Sequence, residues 1–115
     1  EAVRHAEVYR GSFAISVCPS ENVESPTIVG AQAANELLNI IGIKASFVLT
    51  EYNDKIYISS RSIDEINVQI IMEKLGGGGH LNVAGAQLTG VTIVQAKRMI
   101  QDTLDEMLKE GDIEE

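Results

Sequence analysis

"IKASFVLTEYNDKIYISSR", residues 43–61, sets two runs of β-forming residues on either side of Asn53 and Asp54. Isoleucine, valine, phenylalanine, tyrosine and threonine suit a pleated, half-buried surface. Asn-Asp tolerates the left-handed backbone conformations that a tight reversal needs. The stretch therefore predicts a β-hairpin. Immediately upstream, "ENVESPTIVGAQAANELLNIIG" offers Ser25 as an N-cap and Pro26 at the first helical position, a favoured place for proline. Ile28, Ala31, Ala34, Leu38 and Ile41 then recur at helical spacing, and Gly42 ends the segment. Further back, "SFAISVC" (residues 12–18) reads as a strand closed by Pro19.

Downstream of the hairpin, residues 63–75 ("IDEINVQIIMEKL") predict a helix with Ile66, Ile70, Ile71 and Leu75 buried and Asn67 or Asp64 as its cap. "AGAQLTG" (84–90) predicts a short strand, and Thr92 with Gln95 three residues on forms a capping box for a last helix. Ile93, Ala96, Ile100, Leu104, Met107 and Leu108 mark its apolar face. The order β-α-β-β-α-β-α predicts an α/β domain, a mixed β-sheet with helices packed on it. We expect residues 1–10 to be a leader from a preceding domain, 11–110 to form the domain and 111–115 to be an acidic tail.

The 115 residues are 44 % apolar and have a net charge of −8. The last fifteen residues hold seven acids against Lys109 and so carry −6 of that, leaving the body near balance. A dense basic face for long nucleic acid is missing, whereas a small phosphorylated ligand needs only a local cation and some amides. Cys18 is the single cysteine, which excludes an internal disulfide or a cysteine-rich metal site and fits a reducing, cytoplasmic setting. No apolar run approaches the roughly 20 residues of a membrane span. The chain starts without methionine, from which we expect a piece of a longer protein.

The unusual stretch is "KLGGGGHLNVAG", residues 74–85. Gly76 is explained as a helix C-cap. Gly77, Gly78 and Gly79 in succession point to backbone N–H groups that phosphate oxygens can approach without meeting a Cβ, with His80 beside the anion. A slack loop with an incidental histidine and a purely structural turn are the alternatives. No Gly-Lys-Ser or Gly-Lys-Thr closes the run, so it is not a Walker loop. His80 has no second ligand nearby for zinc, and His5 sits in the polar leader. "YISSRS" places Arg61 at a predicted strand end, where a guanidinium's fork of donors suits phosphate. Only one helix separates Arg61 from the glycines, so the two elements can converge.

"SSRS", a helix and "GGGGHLNVAG" together resemble the DHH-associated domain, the C-terminal half of the DHH phosphoesterase superfamily. Gly77, Gly78, Gly79 and His80 match its Gly-Gly-Gly-His, and Ala84 and Gly85 match its Ala-Gly ending. Val83 stands where that pattern prefers alanine. Residues 8–110 look most like the C-terminal part of the membrane-anchored cyclic-di-AMP phosphodiesterases of Gram-positive bacteria. The resemblance implies a substrate-holding domain that works with a DHH domain of the same chain, which would hold two manganese ions. Arg61 and His80 would contact phosphate, Gly77 to Gly79 would give amides and room, and Ser60, Asn82, Ala84 and Gly85 would line the pocket. No residue of this chain would be catalytic or bind metal, and the chain alone would hydrolyse nothing. The expected partner is a cyclic dinucleotide or short oligonucleotide, with a homodimer left open. The resemblance puts the domain in the cytoplasm without membrane contact, its parent anchored at the cell membrane. The competing reading is a single-stranded nucleic-acid-binding module of an exonuclease-like or tRNA-related protein.

Overall fold

The hairpin lies at the centre of the sheet in the computed structural model, which describes residues 6–18, 26–40, 42–63, 66–111 and 113. Strands β3 (Ala45–Tyr52) and β4 (Lys55–Ser62) pair antiparallel from Tyr52 opposite Lys55 to Ala45 opposite Ser62. Asn53 and Asp54 sit at φ 51° and 64°, the two positive angles that a two-residue type I′ turn requires. Upstream are β1 (Glu7–Tyr9), β2 (Phe13–Cys18) and α1 (Pro26–Leu37); downstream are α2 (Val68–Lys74), β5 (Gly78–His80), β6 (Val83–Thr89) and α3 (Ile93–Glu110). The six strands form one sheet in the order β1-β2-β3-β4-β6-β5. Only β2 and β3 run parallel, joined through α1, and the other pairs are antiparallel. The fold is α/β with a mixed sheet, as the element order predicts.

Strand alternation splits the core in two. Phe13, Ile15, Phe47, Leu49, Ile56 and Ile58 pack toward α2 and α3, against Ile71, Met72, Ile100, Leu104 and Met107. Ala14, Cys18 and Val48 point the other way, onto Ala33, Ala34 and Leu37 of α1. With both faces covered, β2 and β3 read as nearly unbroken apolar runs.

Four details depart from the sequence reading. Helix α1 ends at Leu37 instead of Gly42, and Ile28 is 59 % exposed. Its buried side is the small-residue edge Gly30, Ala33 and Ala34 because the helix lies close on the sheet: a Cβ on Gly30 would sit 2.7 Å from Ser59 Oγ. Ser25 and Ile41 lie outside the described residues. Helix α2 starts only at Val68, where the Asn67 side chain accepts the Ile70 N–H at 3.2 Å; Asp64 lies outside the described residues. Ile66 is buried ahead of the helix, and Ile70 is 41 % exposed while Val68 and Met72 take its place inside. Strand β1 lies within the stretch read as a leader, with Val8 opposite Ala14 on β2. The glycine run, finally, is neither a slack loop nor a simple turn. It ends α2 and becomes the edge strand β5.

Helix α3 follows the sequence reading closely. Both halves of the Thr92–Gln95 capping box form, at 3.1 Å and 2.8 Å, and Gly111 closes the helix at φ 80°.

Candidate functional site

Ile56 and Ile58 of β4 turn into the core beside α2 and α3, so Tyr57, Ser59 and Arg61 lie on the α1 face of the sheet. Pairing carries that face across two more strands. Arg61 is opposite Val83 and Val83 opposite His80, while Ser59 is opposite Gly85 and Gly85 opposite Gly78. Helix α1 packs mainly on β3 and β4, so among the described residues β6 and β5 are left largely open on this face. A cleft of about 630 Å³ results, within the usual range for small-ligand sites. Arg61 and His80 flank it two strand spacings apart, about 10 Å between Cα atoms. Gly85 and Gly78 give a floor without side chains, and Ala31 of α1 belongs to the wall.

Arg61 is half-buried, and its Nη1 donates to the Ser60 carbonyl at 2.7 Å. Burial lowers its pKa from the usual arginine value. Among the described residues no carboxylate pairs with it. A partly desolvated guanidinium without a protein counter-ion favours an anionic ligand.

The three glycines of the signature have different surroundings. The N–H of Gly77 donates to Met72 O at 2.8 Å and that of Gly76 to Glu73 O at 3.1 Å, the pair of bonds that closes a Schellman cap. The Gly77 amide is therefore committed to α2, against the expectation that it serves a ligand. Gly77 is a glycine for packing: a Cβ there would collide with the Gly85 carbonyl and come within 2.7 Å of Ala86 Cα. Gly79 has φ 146°, and a Cβ on it would lie 2.5 Å from Ala84 Cα. Gly78 alone has open space where a Cβ would be. As β5 is an edge strand, alternate backbone N–H groups of Gly78 to His80 point away from β6 and have no partner strand among the described residues.

Ala84 belongs to the cleft lining as expected, whereas Ser60 and Asn82 are placed differently from the expectation. Ser60 is fully buried with its Oγ donating to Ala84 O at 2.9 Å, and the Ala84 side chain packs in the core, leaving only its backbone at the cleft. Leu81 and Asn82 are the two-residue loop between β5 and β6. Asn82 Nδ2 donates to Ser62 Oγ at 2.9 Å, and Leu81 O accepts the Val68 N–H at 2.9 Å. Asn82 thus fixes the loop against β4 and the start of α2 and is not part of the cleft lining. Tyr57 and Gln87, a directly opposed pair, do line it. Counting back from Arg61 in steps of two along a predicted strand reaches Tyr57, a signal that the sequence reading left unused.

Among the described residues there is no group of three or more His, Cys, Asp or Glu that could hold a metal ion, and no helix is long and apolar enough to cross a membrane.

The layered sheet, with an open cleft flanked by Arg61 and His80 on one face, defines an α/β domain. Residues 11–110 match the DHHA1 domain, and the chain belongs to that family, found in DHH-type phosphoesterases. It is 46 % identical over 104 residues to the cyclic-di-AMP phosphodiesterase PdeA of Listeria monocytogenes, covering 90 % of this chain and 16 % of that protein. It is 37 % identical over 111 residues to the cyclic-di-AMP phosphodiesterase GdpP of Bacillus subtilis, covering 95 % and 17 %. The chain thus spans about a sixth of the length of these relatives. An exopolyphosphatase-related protein from Bacteroides fragilis shares the fold at a TM-score of 0.80 and 22 % identity, over 92 % of this chain and 32 % of that one.

Proposed function

We propose that this domain holds the nucleotide and the non-reacting phosphate of cyclic-di-AMP, or of its linear dinucleotide, as part of a larger cytoplasmic phosphodiesterase anchored at the membrane. The observation that carries the reading is the alignment of Arg61, Val83 and His80 across three strands, above a floor that two glycines keep clear. The names of the relatives add the substrate. In this reading Arg61 donates a planar pair of N–H groups to phosphate oxygens, His80 donates from the opposite side, and the free edge of β5 adds backbone N–H groups. Two manganese ions in a DHH domain of the same chain would supply an activated water for attack on the phosphodiester. The residues described here bind and orient only. Binding of the remote half of a substrate lowers the barrier at the reacting half by fixing its position.

The test is an NMR titration of the 115-residue chain with cyclic-di-AMP and with adenosine 5′-monophosphate, following the His80 imidazole. Both ligands should shift that signal, Arg61→Ala should weaken binding about tenfold or more, and manganese with cyclic-di-AMP should give no cleavage by the chain alone. An unmoved imidazole at saturating ligand, or equal affinity in Arg61→Ala, would reject the reading. Tight binding of single-stranded RNA with a steep salt dependence would favour the nucleic-acid module instead.

A further inference from the structure

The cleft has a second end. Tyr57 on β4 and Gln87 on β6 are directly opposed, share the face of Arg61, and line the same space. Tyr57 lies four residue steps before Arg61 on the strand, about 13 Å along the ribbon, comparable with the reach of a nucleoside monophosphate from phosphate to base edge. Between them lie Ser59 and the glycine floor of Gly85 and Gly78. Ala31 brings only a methyl group to the wall, so the span stays open. Tyr57 is half-buried and Gln87 exposed, and among the described residues neither the phenol hydroxyl nor the side-chain amide is hydrogen-bonded. An aromatic ring and a free amide at one end, with a guanidinium and an imidazole at the other, divide the cleft by chemistry.

We infer that Tyr57 and Gln87 form a base-recognition subsite in which a purine stacks on the Tyr57 ring and its edge is read by the Gln87 amide. The inference rests on the phosphate-holding role proposed above and assigns the other half of the ligand. Stacking on an aromatic side chain accepts any base. The amide is selective: its adjacent donor and acceptor match the amino group and ring nitrogen on one edge of adenine, whereas guanine presents two acceptors on the corresponding edge. The subsite therefore favours adenine over guanine, and Gln87 sets that preference.

The experiment titrates the full 115-residue chain with adenosine 5′-monophosphate, guanosine 5′-monophosphate and ribose 5-phosphate. Tyr57→Ala should weaken adenosine 5′-monophosphate about tenfold and leave ribose 5-phosphate unchanged. Tyr57→Phe, which keeps the ring, should retain most of the affinity. Gln87→Ala, at an exposed position, should bring the adenine-to-guanine ratio close to one. Unaltered base preference in Gln87→Ala, together with unchanged adenosine 5′-monophosphate affinity in a folded Tyr57→Ala, would overturn the subsite while leaving the phosphate end intact. If ribose 5-phosphate fails to bind the unaltered chain, the phosphate end itself fails, and the base subsite falls with it.

Discussion

A Cβ on Gly78 would meet nothing within 4 Å, whereas one on Gly77 would run into the backbone of β6. That contrast separates folding from binding at adjacent residues. Gly77→Ala forces β5 and β6 apart and should destabilise by about 1–3 kcal/mol, read as a lower urea midpoint at constant slope. Gly78→Ala should change stability by less than about 1 kcal/mol. If the open space above Gly78 is the ligand's, its added methyl group should weaken nucleotide binding about tenfold. Equal affinity in Gly78→Ala would place the ligand elsewhere. Cys18 is the opposite case of a reactive residue type without an opening. It is buried against α1, burial pushes its thiol pKa up, and slow reaction with a thiol reagent in the folded chain is the expected outcome.

At the scale of elements, the parts legible in sequence were those whose signals are local. The Asn53-Asp54 turn and the Thr92–Gln95 box carry their conformation in their own side chains, and both form as read. Loss of the box should be costly in proportion: Thr92→Ala should lower stability by about 1 kcal/mol, whereas Val94→Ala, at a site 75 % exposed, should stay within about 0.5 kcal/mol. Urea unfolding of the two variants checks both. The edge strand β5 was illegible because nothing local favours a strand in Gly-Gly-His. It exists because β6 offers a pairing edge and because only glycine fits at 77 and 79. Helix α1 was misread for a related reason. Ala34 is buried as its spacing suggests, but the depth at which Gly30 seats the helix on Ser59 turns Ile28 outward and brings Ala33 and Leu37 inside. The candidate site divides the same way. Arg61, Gly78, His80 and Gly85 were recognisable as residue types, while the exclusion of Ser60 and Asn82 and the inclusion of Tyr57 and Gln87 depend on register alone.

At the scale of the molecule, the sheet's first strand is tied to its last helix across nearly the whole sequence. Tyr9 Oη and Arg10 Nε both donate to Asp105 Oδ1 at 2.7 Å, and Lys97 pairs with Glu7. The Tyr9 hydroxyl, and then Arg10, hold the Asp105 carboxyl below its usual pKa. A carboxyl lowered in the folded state contributes fully above its unfolded value, about 4, and loses that contribution as pH falls through the folded one. Tyr9 is shifted up, mainly by its bond to Asp105, so its share is present below pH about 10 and is lost above it. Between those limits the clasp is closed. These side chains are partly exposed, so the effect on global stability is small and screened by salt; its consequence is local, on the edge strand β1. Asp105→Asn should therefore leave the melting temperature nearly unchanged at pH 7 while lowering amide-exchange protection in β1 severalfold relative to β3. In the unaltered chain the same protection should fall as pH drops below about 4, and the two proteins should converge there. Equal β1 protection in both at pH 7 would show that pairing with β2 alone holds the strand.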